Sequence, residues 1–353
     1  MDHVLGLSVV ALTAIDLFSG CGGLTCGLKQ AGFQVVAAVE LDKKAQETYT
    51  INHPEVSLYK TDIRELDAKR IRLENNLGKG ELDLLAGCPP CQGFSRLRTK
   101  NKIKNINDER NNLIYDFLRF IEEFEPKSIM LENVPNLQYD KRFKYICLAL
   151  KKMEYQIIFK VLDASDYLVP QRRKRLILLA SKNFIPTISN ANKQKISVRM
   201  AFSSLDAKIL QRDLLHNMPE KRTEAVRQLI ALIPKDGGSR VDLGEMWQLE
   251  CHKKTKGFYD VYGRMAWDDV APTITSGCSN PSKGRFLHPD LNRTITLREA
   301  SILQGFPTDY YFNIKHGKQS IALMIGNALP PPFIKSHALS LKEGLLNRYK
   351  YSE

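Results

Sequence analysis

The chain has 353 residues, of which 43% are hydrophobic and 26% charged, and this composition excludes a disordered, collagen-like or coiled-coil protein. At about 150 residues per domain, the length corresponds to roughly two domains. Lys and Arg number 52 against 39 Asp and Glu, and the net charge of +13 favours a polyanionic partner, nucleic acid before membrane, although solubility alone also explains such a surplus.

The first 180 residues alternate short apolar runs with helical patterns, which is typical of a parallel sheet with crossover helices. The predicted strands are 11–18, 33–39, 82–86, 128–131, 156–162 and 176–180. Apolar residues at helical spacing predict helices at 24–31, 43–52, 113–124 and 141–153.

This alternation ends after residue 180. Residues 181–290 combine short helical stretches, such as 220–233, with turn-rich basic sequence, and they predict a second, smaller domain. Helical patterns return at 297–304, 319–325 and 333–346. The predicted fold class is therefore α/β: a doubly wound, mostly parallel sheet with a second, smaller and irregular domain.

The cysteines and the N-terminus indicate the compartment. Seven cysteines, an odd number spread over a long chain, are not a secreted disulfide framework and favour a reducing cytosol. The apolar stretch 5–15 lacks a basic flank before it, so we interpret it as the approach to a buried strand and not a signal peptide. No segment reaches the roughly 18 apolar residues that a membrane span needs.

A glycine-rich loop follows the first predicted strand, which ends at Phe18. The loop contains Gly20, Gly22 and Gly23. Glycines let a backbone turn sharply and approach a ligand, and an acid at the next strand end, here Glu40, holds ribose hydroxyls in nucleotide-binding folds. Because the loop departs from G-x-G-x-x-G, and because Asp62 follows another apolar stretch, the pattern suits an adenosine-bearing ligand without a pyrophosphate. A tight strand-to-helix turn with a surface carboxylate is the alternative.

Cys91 follows the predicted strand 82–86, with two prolines directly before it. The prolines fix the backbone at the sheet edge where ligands bind in α/β proteins. A free thiol is only about 3% ionised at pH 7, so a nucleophile here needs nearby positive charge, and Arg96 and Arg98 are close in sequence. The alternatives are a buried structural thiol or a redox pair with Cys88. The intervening prolines disfavour the pair, and the sequence shows no second Cys or His cluster for zinc.

Other polar residues fall at the same edge of the predicted sheet. Glu132 ends a strand, and Arg173 and Arg175 alternate on an extended segment, so they are expected to point the same way. One cysteine, one glutamate and two arginines at a common edge are hard to explain by core packing. The basic runs 96–110 and 170–200 are more often solvated faces, and residues 172–175 also fit a nuclear-import patch.

In order along the chain, these segments resemble the motifs of the DNA (cytosine-5) methyltransferases that use S-adenosylmethionine. The resemblance spans nearly the whole chain and rests on residues 16–23, 40, 62, 89–92, 132–134, 171–175, 298–307 and 326–328. Cys88 departs from the glycine common at its position. The resemblance implies a Rossmann-like catalytic domain that binds S-adenosylmethionine, made of residues 1–180 plus 318–353. It also implies a target-recognition domain of residues 181–317.

The resemblance assigns roles to the site residues. It implies that the Cys91 thiolate adds to carbon 6 of a flipped-out cytosine while Glu132 interacts with ring nitrogen 3. Arg175, with Arg173, is implied to contact the base oxygen and to orient the glutamate. A glutamate is only about 0.2% protonated at pH 7, so we expect either a pKa raised by burial or a proton passed in during the step.

The remaining site residues also follow from the resemblance. The expected cofactor site is formed by Phe18, Gly20, Gly22, Gly23, Glu40, Leu41, Asp62, Ile63, Pro90, Asn327 and Ala328. The expected DNA contacts are Gln92, Ser95, Arg96, Arg98 and Thr273. For Thr273 and its aliphatic neighbour, a simple pair of β residues is an equally good explanation. No metal site is expected.

The implied function is methylation of cytosine at carbon 5 in a specific short duplex DNA sequence. The expected partner is double-stranded DNA, with a cognate restriction endonuclease as a candidate partner. The expected protein is a cytoplasmic monomer, nucleoid-associated in a bacterial host. The alternatives are an RNA cytosine methyltransferase, an inactive DNA-reading module and a nicotinamide oxidoreductase. The long segment between residues 175 and 298 favours DNA, because a target-reading domain needs that room.

Overall fold

A seven-stranded sheet is at the centre of the computed structural model, which describes residues 11–90, 109–247 and 260–349. The strands are β1 Thr13–Leu17, β2 Gln34–Val39, β3 Ser57–Tyr59, β4 Leu84–Gly87, β5 Ser128–Asn133, β6 Gln156–Asp163 and β7 Lys174–Ser181. Their order across the sheet is β3-β2-β1-β4-β5-β7-β6. β1 to β5 are mutually parallel, and β7 runs antiparallel to both β5 and β6. The predicted mostly parallel α/β fold is confirmed.

Helices cover both faces of this sheet. In chain order they are α1 Gly23–Gln30, α2 Lys43–Asn52, α3 Ala68–Glu74, α4 Leu113–Phe124, α5 Lys141–Lys152, α6 Val198–Phe202, α7 Ala207–Arg212, α8 Glu224–Leu232, α9 Leu297–Leu303, α10 Gly317–Asn327 and α11 Pro331–Tyr349. Side chains alternate between faces along β1, so Ala14 packs with α1 and α11, whereas Ile15 packs with α4 and α5. No helix in the described ranges has the length and apolarity that crossing a bilayer requires.

Every predicted strand is present, with bounds within two residues of those expected. Three differences have local causes. The helix expected at 220–233 starts only at Glu224, because the Thr223 side chain caps its first turn by accepting from the Val226 amide. β7 starts at Lys174, where it already pairs with Asp163 of β6. The short strand β3, which was not among the predicted strands, pairs only with β2 at the edge of the sheet.

The region after β7 is held together mainly by side chains and irregular backbone. Its core contains Met265, Ile274 and Phe286, and it continues without interruption into Ile321 of α10. Arg264 is fully buried there and uses all five guanidinium donors. Its acceptors are the carbonyls of Ile230, Ile233, His288 and Leu291 and the side-chain oxygen of Asn292. The boundaries at 180/181 and 317/318 between two domains remain predictions.

Candidate functional site

Three parallel strands bring the candidate residues to one edge of the sheet. β1, β4 and β5 are neighbours, so the glycine loop after β1, the turn after β4 and Glu132 near the end of β5 lie together. The backbone amide of Cys88 donates to the carbonyl of Leu17 at 3.3 Å, which joins the first two of these ends. The predicted residues Cys91, Gln92, Ser95, Arg96 and Arg98 lie outside the described residues.

The turn that leads toward Cys91 is held to the strand that carries the glutamate. Asn133 Nδ2 donates to the carbonyl of Pro89 at 2.8 Å, and Asn133 Oδ1 accepts from the Val134 amide at 2.8 Å. Proline cannot continue a sheet ladder, so the chain leaves β4 in a defined direction. Residues 88–90 are therefore fixed relative to Glu132.

Glu132 is the buried acid of this edge, with 1% of its surface exposed. Its Oε2 accepts from Cys88 Sγ at 2.9 Å. Its Oε1 lies 2.9 Å from Arg175 Nε, yet no donor among the described residues meets it with hydrogen-bond geometry. Burial raises the pKa of Glu132, against the lowering effect of Arg175, Cys88 and Arg173. This direction is the one that a glutamate protonated before the reaction requires.

The two arginines occupy different positions. Whereas Arg175 pairs with the glutamate, Arg173 is 3% exposed and donates to backbone carbonyls beyond the sheet. Those of Ile274, Gly326 and Ala328 accept at 3.0, 2.9 and 3.3 Å. Burial lowers the pKa of Arg173 well below its ordinary value, and the nearby charge of Arg175 acts in the same direction. Arg173 therefore joins the start of β7 to the 274 segment and to the end of α10.

Gln171 makes a second bridge at the same place, and no role was predicted for it. Its Nε2 donates to the Leu303 carbonyl at 2.8 Å and to Gln304 Oε1 at 2.7 Å, and its Oε1 accepts from the Ile274 amide at 2.9 Å. Thr273 next to it donates its hydroxyl to the Arg172 carbonyl at 2.6 Å. The only sequence signal for this bridge is the position of both glutamines within the matched motif segments.

The loop after β1 and the end of β2 form a polar cradle. The Glu40 carboxylate accepts from the backbone amides of Gly20 and Asp42, both at 2.7 Å, and burial raises its pKa. Gly22 has a φ of 96°, and a Cβ there would lie 2.5 Å from His53 Nε2. Glycine is therefore required at this turn. Beyond Gly20 there is open space, so the backbone is accessible to a ligand.

Apolar and acidic groups flank this cradle. Leu41 is 60% exposed, and Phe18 is half-buried with a φ of 63°. Both oxygens of Asp62 accept from Arg64, at 3.0 and 2.6 Å, and this pairing holds the pKa of Asp62 below its usual range. A carboxylate oxygen has a second lone pair, so Asp62 retains acceptor capacity for an amino group. Two acids and two accessible apolar side chains fit a nucleoside, because the acids accept hydrogen bonds and repel phosphate.

The C-terminal candidates complete the cradle from the other side. A Cβ on Gly23 would lie 2.5 Å from the Leu329 carbonyl, so the loop touches the segment that contains Asn327 and Ala328. Asn327 is exposed at the end of α10, and the carbonyl of Ala328 accepts from Gln304 as well as from Arg173. Of the other two cofactor candidates, Ile63 is buried in the core beside the sheet, and Pro90 is half-buried.

The basic run 170–200 is largely neutralised within the protein. Five of its cations form ion pairs with acids: Arg172, Arg175, Lys182, Lys195 and Arg199. Since Arg173 is buried and Arg175 pairs with Glu132, this run is not a single solvated basic face. In the parts of the chain that the structure describes, no group of three or more His, Cys, Asp or Glu side chains is arranged to hold a metal ion.

Comparison with known proteins agrees with this geometry. Residues 12–343 match the sequence model of the family described as C-5 cytosine-specific DNA methylase. The type II methylase M.HgiDII of Herpetosiphon aurantiacus is 36% identical, with 95% of this chain and 97% of that protein covered. The type II methyltransferase M1.BsuMI of Bacillus subtilis is 32% identical, with 92% and 79% covered. The crystal structure of an E. coli protein encoded within a prophage, described as a DNA modification methyltransferase, has a TM-score of 0.71 at 25% identity. The match covers 96% of this chain and 100% of that one.

Proposed function

Because the chain belongs to the C-5 cytosine-specific DNA methylase family and is a DNA (cytosine-5) methyltransferase, we propose that it methylates a cytosine flipped out of a specific short duplex sequence, with S-adenosylmethionine as donor. The observation that carries the proposal is the pair of the buried Glu132 and the half-buried Arg175, which lies beside the turn that leads to Cys91. The glycine loop follows β1 and Glu40 follows β2, and both strands end at the same edge of the sheet as β4.

We assign the cofactor to the cradle between this loop and the end of α10. Its residues are Phe18, Gly20, Gly22, Gly23, Glu40, Leu41, Asp62, Ile63, Pro90, Asn327 and Ala328. When bound, S-adenosylmethionine supplies a methyl group on a sulfonium centre. The Glu40 carboxylate, fixed by two backbone amides, is suited to accept from ribose hydroxyls. Asp62 is suited to accept from the adenine amino group, with Phe18 and Leu41 as apolar contacts.

In the proposed reaction the Cys91 thiolate forms a bond to carbon 6 of the cytosine, and Glu132 protonates ring nitrogen 3. Electron density then rises at carbon 5, which becomes the nucleophile. Carbon 5 would bond to the methyl group as the bond between that group and the sulfonium sulfur breaks, which would leave a neutral thioether. A base then removes the hydrogen of carbon 5, the bond between Cys91 and carbon 6 breaks, and nitrogen 3 returns its proton to Glu132. The raised pKa of Glu132 supports this role, because a protonated carboxyl group must be available near pH 7.

The target cytosine must leave the duplex, since a stacked base cannot reach a carboxyl group that is 1% exposed, and such flipping costs a few kcal/mol. We assign the DNA contacts to Gln92, Ser95, Arg96, Arg98 and Thr273. We further propose a monomer that acts in the cytoplasm, nucleoid-associated in a bacterial host. A cognate restriction endonuclease is the proposed partner, because the relatives above are type II methylases.

Two assays test the proposal. Incubation with labelled S-adenosylmethionine and either plasmid DNA or tRNA should label the DNA, and label only in tRNA would overturn the DNA assignment. Duplex DNA with 5-fluorocytosine in the recognised sequence should trap a covalent complex, because fluorine blocks the elimination. Cys91→Ser should bind this DNA without trapping it, and Cys147→Ser on α5 is the matched control that should trap normally. Failure of the unmodified protein to trap cognate DNA would contradict the Cys91 mechanism.

A further inference from the structure

Cys88 is held firmly at the end of β4, next to the glutamate. Its amide donates to the Leu17 carbonyl at 3.3 Å, and the following carbonyl, that of Pro89, accepts from Asn133 Nδ2 at 2.8 Å. Its side chain packs against the apolar core between the sheet, α1 and α11. The backbone at Cys88 is therefore fixed by the ends of both neighbouring strands, and its side chain is held by packing.

The thiol donates a hydrogen bond to the carboxylate. Cys88 Sγ lies 2.9 Å from Glu132 Oε2. Burial raises the pKa of Cys88 well above its ordinary value, and the neighbouring Glu132 carboxylate acts in the same direction. The proton therefore stays on sulfur, and the S–H group donates to Oε2, which can accept it also when the carboxyl group carries its own proton on Oε1. The same shift makes Cys88 a poor thiolate nucleophile, which disfavours a redox role for it.

This bond determines which oxygen of the glutamate remains for the substrate. Oε2 is occupied by the thiol, while Oε1 lies beside Arg175 with no hydrogen-bond partner among the described residues. The charged groups that face Glu132 are Arg175 and Arg173, both from the segment at the start of β7. A contact at each oxygen fixes the plane of the carboxyl group.

From this geometry we infer that Cys88 is a positioning residue for the methyl-transfer reaction: its S–H bond to Oε2 fixes the Glu132 carboxyl group so that Oε1 meets ring nitrogen 3 of the target cytosine. This inference rests on the role proposed above for Glu132. The bond also favours the ionised carboxylate, so it limits how far burial raises the proton affinity of Glu132.

Substitutions at Cys88 separate the donor from the volume of the side chain. Cys88→Ala removes the donor, and we expect kcat for DNA methylation to fall about tenfold, the size of one lost charge-assisted hydrogen bond. The alkaline limb of the kcat–pH profile should move up by about one pH unit, because Glu132 loses a donor that favours its ionised form. Cys88→Ser keeps a donor and should restore kcat to within about threefold, and KM for DNA should stay unchanged in both variants.

The control is Cys147→Ala, which removes a half-buried thiol from α5 and should leave kcat and its pH profile unchanged. The inference is overturned if Cys88→Ala has the kcat and the pH profile of the unmodified enzyme, or if Cys88→Ser is as impaired as Cys88→Ala. An unmodified enzyme that neither methylates nor traps DNA would instead overturn the proposed function.

Infrared spectroscopy tests the bond without substrate. The difference spectrum between the unmodified protein and Cys88→Ala contains the S–H stretch of Cys88, and the corresponding Cys147→Ala spectrum contains that of Cys147. Hydrogen bonding to a carboxylate weakens the S–H bond, so the Cys88 band should lie at lower frequency than the Cys147 band. Coincident bands would refute the hydrogen bond.

Discussion

Replacement of Asp16 by Asn tests the electrostatics beneath the glycine loop. Asp16 is fully buried in β1, and its Oδ2 accepts from the amide of Thr25 at 3.1 Å and from the Thr25 hydroxyl at 2.7 Å. Its Oδ1 has no hydrogen-bond partner among the described residues. Burial raises the pKa of Asp16 from 3.8 to about 7, against the lowering effect of the Thr25 bonds.

The sign of the effect follows from linkage. Because the folded-state pKa of Asp16 is raised, its contribution to stability is complete below pH 3.8 and is lost as the pH rises through about 7. A difference of about 3 pH units, at about 1.4 kcal/mol each, amounts to about 4 kcal/mol. Asparagine carries no charge, and its Oδ1 can still accept from Thr25. We therefore expect Asp16→Asn to be up to about 4 kcal/mol more stable than the unmodified protein at pH 8, with the advantage shrinking toward pH 4.

Urea unfolding at several pH values between 5 and 8 measures this difference. The matched control is Asp83→Asn, since Asp83 is also buried, directly before β4, but pairs with Lys127 at 2.8 Å and accepts from the Thr13 amide at 2.7 Å. Its neutralisation should destabilise the protein at pH 8. If Asp16→Asn were less stable than the unmodified protein at pH 8, the N-terminal amides of α1 would outweigh burial and the argument would be refuted.

Three further predictions concern buried groups elsewhere. Arg264→Lys leaves at least two of five buried acceptors without a donor, so the free energy of unfolding in urea should fall by about 3 to 5 kcal/mol. A fall below about 1 kcal/mol would contradict this prediction. Burial lowers the pKa of His337 to about 4, so the unfolded chain binds a proton at this residue before the folded protein does, and the free energy of unfolding should fall by about 2 kcal/mol between pH 7 and 5. In His337→Phe, urea unfolding should show this fall to be absent, and the same fall in the variant would contradict the prediction. Gly326→Ala places a Cβ against the backbone of Thr275, so KM for DNA should rise severalfold in steady-state methylation assays. An unchanged KM would contradict the idea that the close contact between these two backbones positions the DNA contacts.

Much of the sheet follows from local sequence patterns. The central strands β1, β4 and β5 are almost wholly buried and consist mostly of apolar residues, which is the pattern of strands covered on both faces. β3 has three residues at an edge, too few for a periodic signal. The antiparallel direction of β7 depends on the connection from β6, which contains only the 3-10 turn Ala164–Tyr167 and no crossover helix.

The candidate site at the sheet edge was also predictable in part from the sequence. Parallel strands end at one edge, so the strand-end positions of Glu132 and of the turn after β4 predict their proximity. The contact of Cys88 with Glu132 was not predicted, because strand ends determine a neighbourhood and not which side chains touch. Alternation along an extended segment placed Arg173 and Arg175 on the same side, yet β7 starts only after Arg173.

The contacts between the end of α10 and the rest of the site depend on glycines, because a side chain at these positions would hold the backbones apart. Gly23 approaches the Leu329 carbonyl, and Gly326 approaches the backbone of residues 275–276, each closer than a Cβ allows. Arg173 donates to carbonyls on both sides of this junction. Contacts between backbone segments about 50 and about 300 residues apart leave no periodic pattern in the sequence. Their only sequence signal is the glycine at each contact. The glycine loop after β1 and the 274 segment therefore both contact the short stretch 326–329. The proposed cofactor contacts and DNA contacts would thus share a backbone support.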